Sequence, residues 1–177
     1  KGRIYLSPET GHAEAAVIDR ECWIPSQELQ GKCTVNVGNY GFKTFGDLFT
    51  KRQLLMLNTY CDLIENVRKI AKTDAINACM NDDGLCLYDG GLGAQSYADA
   101  ISVYLSLSIG KLSDNHSTVV MWSPGRDQTK NTYAKQALPM VWSYAECNPF
   151  NEAAGDLSVT LVGQTKTISR LPCHPHG

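Results

Sequence analysis

The clearest hydrophobic pattern in the chain begins at Lys51 and repeats at steps of three and four residues. Apolar side chains at this spacing lie along one face of an α-helix. Thr50 and Gln53 have the spacing of a capping box, in which each side chain bonds the backbone amide of the other residue. The pattern predicts a helix from Lys51 to about Met80, where the turn-forming residues 81–84 end it. Its apolar positions are Leu54, Leu57, Cys61, Ile64, Val67 and Ala71.

Four other segments have helical patterns. Residues 9–20, 94–112 and 156–171 are predicted to form uninterrupted helices. Residues 128–146 are predicted to form a helix with a kink at Pro139, because proline lacks the amide hydrogen that the helix requires. A kink of this kind re-aims neighbouring side chains toward a ligand, although aromatic residues at helical spacing more often belong to the core. The candidate contacts are Gln136, Trp142 and Tyr144.

Strand signals are confined to short segments. Residues 3–6 and 33–37 alternate between apolar and polar positions, as half-buried strands do, and residues 118–122 form a strand or a loop. The predicted fold class is mainly α with a small N-terminal β element, an α+β arrangement. We expect one compact unit, in which residues 1–40 form a strand-and-loop segment and residues 41–177 form a helical domain.

The composition narrows the class of protein. Apolar residues make up 43% of the 177 residues and charged residues 19%, which excludes an intrinsically disordered chain. The net charge of −2 is unlike that of a free-standing DNA-binding domain, which is usually basic. A local phosphate-binding surface stays possible on two predicted helices, and ordinary solvated helix faces are the alternative. The basic residues concerned are Lys51, Arg52, Arg68, Lys69, Lys72, Arg126, Lys130 and Lys135.

The seven cysteines show no paired spacing of the kind that disulfide frameworks and zinc sites use. Several fall on apolar helix faces, where a free cysteine behaves as a small hydrophobic residue. This pattern favours a cytoplasmic protein. Residues 173–176 contain one Cys and two His, which is too few ligands for a metal site. We therefore predict no metal site.

Four stretches of the chain resemble one protein family. They are residues 40–53 (YGFKTFGDLFTKRQ), 90–100 (GGLGAQSYADA), 123–126 (SPGR) and 131–150 (NTYAKQALPMVWSYAECNPF). In this order they are similar to stretches of the adenine-specific DNA methylases that contain a zinc ribbon and a DUF1156 region. Lys51 stands where that family usually has proline, and residues 123–126 carry an additional proline.

The resemblance implies a function for the protein to which these residues belong. It implies transfer of a methyl group from S-adenosylmethionine (AdoMet) to N6 of adenine in DNA. The Gly-rich cofactor motif (DPFxGxG type) and the base-binding motif (DPPY type) of such enzymes do not occur here. We therefore expect an internal domain, the helical middle of a larger α/β methyltransferase, which is inactive alone. Its expected partners are DNA, reached through the whole enzyme, and the remaining methyltransferase domains.

The resemblance also implies site residues. Residues 49–52, which include Phe49 and Thr50, resemble a helix-opening segment beside the methionine part of AdoMet. The resemblance implies that Asp47 accepts from the AdoMet amino group and that the amide region of Thr50 binds its carboxylate. Arg52 and Arg126 are candidates for contacts with nucleic acid or phosphate, since the guanidinium group matches phosphate geometry. No catalytic residue is predicted. The local alternative is a well-capped helix whose aromatic neighbours belong to the core, and the alternative function is a non-catalytic helical module that binds DNA or protein.

Overall fold

The computed structural model describes residues 4–171, and within this range the chain is mostly helical. Its α-helices are α1 (Thr10–Ala15), α2 (Lys32–Asn36), α3 (Lys51–Asn77), α4 (Ala94–Ser113) and α5 (Leu157–Ile168). Three short 3-10 helices cover Gly38–Tyr40, Phe45–Leu48 and Leu87–Asp89. A two-stranded antiparallel sheet joins β1 (Trp122–Ser123) to β2 (Gln128–Thr129). The predicted mainly α class is confirmed.

The start of α3 follows from its capping residues. The Thr50 hydroxyl accepts a hydrogen bond from the Gln53 amide at 3.2 Å, and the Thr50 amide donates to Gln53 Oε1 at 2.9 Å. These bonds satisfy two backbone groups that a helix start otherwise leaves without partners. The predicted capping box is therefore confirmed, and α3 ends at Asn77, close to the predicted end.

Helices α3 and α4 pack against each other as an antiparallel hairpin. One ion pair joins the two helices, with Arg68 Nη2 of α3 at 2.6 Å from Asp99 Oδ1 of α4. A second joins α3 to the connecting turn, with Lys72 Nζ at 2.9 Å from Asp82 Oδ2. The glycine-rich turn allows this close packing, because a Cβ atom at Gly93 would lie only 2.7 Å from the backbone nitrogen of Asp83.

The amides of the same turn are already bonded within the chain. The Leu92 amide donates to Asp83 Oδ2 at 2.9 Å, and the Gln95 amide donates to Asp82 Oδ1 at 3.2 Å. A phosphate bound by bare amides would have to displace these carboxylates. The turn is therefore best explained by helix packing.

The main hydrophobic cluster joins α2 to segments that are distant in sequence. Phe49 is half-buried against it, and so are Phe42, Met140 and Val141. No helix in the described range combines the length and the apolar character needed to cross a membrane. The buried members of the cluster are Leu29, Cys33, Val37, Leu48, Val119 and Leu138.

The predicted N-terminal β element is wrong. Residues 33–37 lie in and just after α2, and residues 4–6 form no strand, while residue 3 lies outside the described range. Cys33 and Val37 are both buried and stand four residues apart, which suits one face of a helix, whereas Val35 is 65% exposed. The alternation that resembled a strand thus comes from two buried residues on one face of the helical segment, Cys33 and Val37, with the exposed Val35 between them. The sheet lies instead at Trp122–Ser123 and Gln128–Thr129.

The predicted helix over residues 128–146 is also wrong. This segment begins as β2 and continues without regular structure. Its backbone carbonyls accept hydrogen bonds from side chains of α2. Cys33 Sγ donates to Gln136 O at 3.2 Å, and Asn36 Nδ2 donates to Ala137 O at 2.7 Å. Leu138 lies in the core with φ of 39°, and the proline that follows it disfavours the helical conformation.

The other predicted helices differ in how well they match the structure. Residues 94–112 correspond closely to α4, and residues 156–171 contain the somewhat shorter α5. Residues 9–20 contain only the six-residue α1.

Candidate functional site

A cleft of about 540 Å³ lies beside the start of α3, between that helix, the end of α4 and residues 23–27. We call it the Phe49 cleft. Aromatic rings from three segments line it, together with aliphatic side chains and a few neutral polar groups. Its lining residues are Trp23, Pro25, Gln27, Phe45, Phe49, Leu54, Leu57, Asn58, Cys61, Ile109, Gly110, Ser113 and Tyr133.

Backbone hydrogen bonds fix the outer wall of the Phe49 cleft. The Phe45 amide donates to Gln27 O and the Gly46 amide donates to Pro25 O, both at 2.9 Å. A Cβ atom at Gly46 would lie 2.7 Å from Pro25 O, so only glycine allows this approach. The short Phe45–Leu48 helix and the Trp23–Gln27 loop are therefore held together as one wall.

Asn58 ties the same loop to α3. Its Nδ2 donates to the Trp23 carbonyl at 3.0 Å and to the Leu54 carbonyl of its own helix at 2.8 Å. One end of the loop is thus bonded to the helix that forms the floor of the cleft. The cleft is a formed feature of the fold.

Asp47 has a structural partner for one carboxylate oxygen. Asp47 Oδ2 accepts from the Lys43 amide at 2.8 Å, from the Thr44 amide at 2.7 Å and from Thr44 Oγ1 at 3.1 Å. The Thr44 and Lys43 amides hold the pKa of Asp47 below its usual value, so the group is ionised at neutral pH. Asp47 caps its own short helix, and it is not among the residues that line the Phe49 cleft.

Phe49 and Thr50 have different surroundings. Phe49 lines the cleft and also packs against the main hydrophobic cluster. The Thr50 side chain takes part in the capping box with Gln53. Gln53 is only 2% exposed, and its Nε2 has no hydrogen-bond partner among the described residues. Of the three residues predicted to contact the cofactor, the structure brings only Phe49 to the cleft.

Arg52 is bound to an acidic partner. Its Nη2 lies 2.7 Å from Glu146 Oε2, and Tyr144 donates to the same oxygen. Burial raises the pKa of Glu146, but the hydrogen bonds from Arg52 and Tyr144 outweigh burial and leave that pKa below its usual value. Arg126 lies apart from this group on the exposed turn between β1 and β2, where its amide donates to Ser123 O at 3.1 Å.

Further basic residues on α3 are also paired. Arg68 and Lys72 bind the acids of the α3–α4 hairpin, and Lys69 Nζ lies 3.8 Å from Glu65 Oε1. Local carboxylates therefore neutralise much of the predicted basic face of α3. This arrangement does not favour phosphate contacts along that face.

The other candidates on residues 128–146 lie outside the Phe49 cleft. Trp142 is exposed and meets the Tyr40 ring edge-on, with centroids 4.9 Å apart. Gln136 bonds α2 through its backbone oxygen, and Tyr144 belongs to the Arg52–Glu146 group. The predicted kink does not exist, and none of the three lines the cleft.

The structure also brings together a pair that has no motif in the sequence. Cys147 Sγ lies 3.6 Å from His116 Nδ1 and 3.5 Å from His116 Nε2. A sulfur in line with one ring lone pair would lie clearly nearer to that nitrogen, so the nearly equal distances show that the sulfur is aligned with neither lone pair. The thiol donates instead to the carbonyl of Asn115 at 3.4 Å. This geometry indicates a packing contact and not a nucleophile with its base.

The electrostatics of the pair agree with this interpretation. Burial raises the pKa of the Cys147 thiol and lowers the pKa of His116, so both groups are neutral at pH 7. Among the described residues, no group of three or more His, Cys, Asp or Glu side chains is placed to hold a metal ion. Residues 173–176, considered above for a metal, lie outside the described range.

Comparison with family models, curated proteins and solved structures found no match to this chain.

Proposed function

We propose that this chain is the helical part of an AdoMet-dependent DNA adenine-N6 methyltransferase, to which it contributes an aromatic wall of a ligand site. The observation that carries the proposal is the position of Phe49. It lies in one of the four stretches that resemble the methylase family, and it lines a formed cleft at the start of α3. AdoMet, when bound, supplies the methyl group that is transferred to the adenine amino nitrogen.

The residues of the cleft fit one part of AdoMet better than another. Aromatic rings suit the flat adenine ring. The methionine end carries a carboxylate and an ammonium group, and the described residues that line the cleft include no Asp, Glu, Lys, Arg or His. Under this proposal the remaining domains of the methyltransferase supply the partners of the charged end, and this chain alone has no methyltransferase activity.

The proposed contact with DNA also depends on the whole enzyme. The ion pairs of Arg52, Arg68 and Lys72 reduce the positive potential of α3. Arg126 stands on an exposed turn, and this position supports it as the candidate phosphate contact. Positioning of the base and the cofactor, rather than proton transfer, is the expected task of the site.

The experiment uses the complete protein in which this chain occurs. AdoMet binding is measured by calorimetry and methyl transfer by labelling of adenine in DNA. Phe45→Ala and Phe49→Leu are expected to weaken AdoMet binding roughly 5- to 100-fold, the range for loss of a stacking ring. Phe150→Ala, at a residue 77% exposed and outside the cleft, is the matched control. A wild-type protein that neither binds AdoMet nor methylates DNA contradicts the proposal.

A non-catalytic, protein-binding role is the second candidate, and one observation favours it. Val103 and Leu107 stand one turn apart on α4 and are each more than half exposed. Leu107 shares a groove between α4 and α5 with Val159, which is 43% exposed. Exposed apolar groups that lie close together often mark a contact with another protein or domain. The partner proposed for this face is the remainder of the methyltransferase.

A charge placed on this face tests the second candidate. If another domain covers Leu107, Leu107→Lys is expected to lower the melting temperature of the complete protein. Val35→Lys, at an exposed valine of α2, is the matched control. An unchanged melting temperature for Leu107→Lys would show that the face is open to solvent.

A further inference from the structure

We infer that the Phe49 cleft binds an uncharged planar ring of bicyclic size, such as a purine, and that it does not bind the charged methionine end of AdoMet. The inference rests on the proposed function in taking this cleft as the ligand site. It departs from the resemblance, which places Phe49 beside the methionine part of the cofactor.

The size of the cleft suits a small organic ligand. Its volume of about 540 Å³ lies within the usual range for pockets that bind such molecules. The bonds of Phe45 to Gln27, and of Asn58 to Trp23, hold the wall in place before any ligand arrives. A formed pocket requires little ordering on binding, which favours a small rigid ligand.

The absence of ionised side chains restricts the charge of the ligand. None of the described residues that line the cleft is a carboxylate, lysine, arginine or histidine. A carboxylate, ammonium or phosphate group moved into such surroundings loses its hydration without gaining a counter-ion. Asp47, which the resemblance suggests as the partner of the AdoMet ammonium group, has Oδ2 bonded to two amides and a hydroxyl of its own turn.

The lining groups favour a heteroaromatic ring over an aliphatic chain. Trp23, Phe45, Phe49 and Tyr133 offer ring faces and edges for stacking. Gln27 adds an amide group, and Asn58 Oδ1 and Ser113 Oγ add hydrogen-bond acceptors. The Asn58 amide protons already bond Trp23 O and Leu54 O, and the Ser113 hydroxyl already donates to Gly110 O. An aliphatic occupant would cover these polar groups without bonding them, which is unfavourable. A flat ring with N–H donors at its edge satisfies both kinds of lining group.

Two sources offer this chemistry. One is the ring of a free nucleoside or of the adenosyl part of a cofactor, and the other is an unpaired base of a DNA strand. Both present the same neutral ring, but they differ in the phosphates attached to it. The experiment therefore compares adenosine, methionine, adenosine monophosphate and a short single-stranded oligonucleotide.

Fluorescence of Trp23 provides a direct readout. The chain has three tryptophans, so the double variant Trp122→Phe, Trp142→Phe leaves Trp23 as the tryptophan fluorophore. Titration of the 177-residue chain with adenosine is expected to change this emission in a saturable manner. Methionine is expected to cause no change. Calorimetry on the unmodified chain checks the dissociation constant.

Cleft variants then locate the binding. Phe45→Ala and Phe49→Leu are expected to weaken adenosine binding at least about fivefold, the smaller end of the effect of losing one stacked ring. The Phe150→Ala variant is expected to bind adenosine as tightly as the unmodified chain does. Phe45 is already 37% exposed, so its truncation disturbs the core less than that of Phe49, and circular dichroism confirms the fold of each variant.

The possible outcomes separate this inference from the proposed function. If adenosine does not bind, if both cleft variants bind it normally, or if methionine binds as tightly, the inference is overturned. If adenosine monophosphate binds as tightly as adenosine, the phosphate group stays outside the cleft. If the oligonucleotide binds more tightly than adenosine, the ring that occupies the cleft belongs to DNA. Adenosine binding by this chain, together with a complete protein that does not methylate DNA, would support the inference and refute the proposed function.

Discussion

His116 donates its Nε2 proton to the carbonyl oxygen of Gly155 across 2.6 Å. The bond joins the segment after α4 to the residue that precedes the cap of α5. Because a carbonyl oxygen only accepts, Nε2 carries the proton of the neutral ring. The other nitrogen, Nδ1, lies 3.6 Å from the sulfur of Cys147.

Stability is expected to fall as the pH drops below about 6.5, the usual pKa of histidine. Burial lowers the pKa of His116 in the folded chain, so the unfolded state gains a proton first. In the window between the folded and unfolded pKa values, the free energy of unfolding decreases by up to about 1.4 kcal/mol per pH unit. Urea unfolding at several pH values measures this slope.

The contribution of His116 is isolated by comparing variants. His116→Phe is expected to flatten the pH dependence of stability between pH 7.5 and 5. Equal slopes for the wild type and His116→Phe would show that other groups cause the loss of stability.

Cys147 is expected to react slowly with alkylating agents. Burial raises its pKa, and the reactive form of cysteine is the thiolate. With iodoacetamide at pH 7.5, mass spectrometry is expected to show Cys147 modified at least about tenfold more slowly than the exposed Cys79. In urea the two rates become similar. Faster modification of Cys147 than of Cys79 in the folded chain would indicate an activated thiol and contradict the packing interpretation.

Loss of the Thr50 cap is expected to destabilise the chain by about 1 kcal/mol. Thr50→Ala removes the acceptor of the Gln53 amide at the start of the 27-residue helix α3. Thr59→Ala is the matched control, because Thr59 is exposed within the same helix, where alanine is the better helix former. Urea unfolding measures both. Equal stability of Thr50→Ala and the wild type would show that the cap does not contribute.

Gly93→Ala is expected to destabilise the chain by about 1–3 kcal/mol, the usual cost of overpacking. Its new Cβ would lie 2.7 Å from the Asp83 nitrogen and 2.8 Å from the Asp82 Cα, and both atoms belong to the backbone. Gly163→Ala has open space around its Cβ and lies within α5, so it is expected to stabilise the helix. Thermal unfolding compares the pair. A melting temperature that rises for both variants would exclude close packing at Gly93.

Local signals in the sequence were enough to predict α3 and α4. The Thr50–Gln53 capping box and the long apolar face act within a few residues of each other, so they need no tertiary context. The strand predicted over residues 33–37 is wrong because a five-residue segment is too short to show its periodicity. Burial of every second residue in a strand and burial of two residues four positions apart in a helix fit the same five letters. The helix predicted over residues 128–146 is wrong for a different reason. Carbonyl groups of this segment accept hydrogen bonds from α2, and Leu138 packs in the core. The α2 residues that donate these bonds are about 100 positions away in the sequence.

Of the residues that the sequence suggests as cofactor contacts, only Phe49 lines the cleft. The other walls of the cleft come from Trp23, Asn58, Ile109 and Tyr133, which share no motif. His116 and Cys147 stand 31 positions apart, and no spacing rule connects them. Local sequence identifies the helix start, whereas the folded chain determines what gathers around it.

The Phe49 cleft has a consequence for the order of folding. The α3–α4 hairpin contains neighbours in sequence, so its contacts close short loops and are expected to form early. The cleft also needs Trp23 and Tyr133, which stand on opposite sides of that hairpin in the chain. We expect it to form in the last step of folding. A ring-shaped ligand would then act as a selective probe of the finished molecule and would slow its unfolding without changing how fast the hairpin assembles.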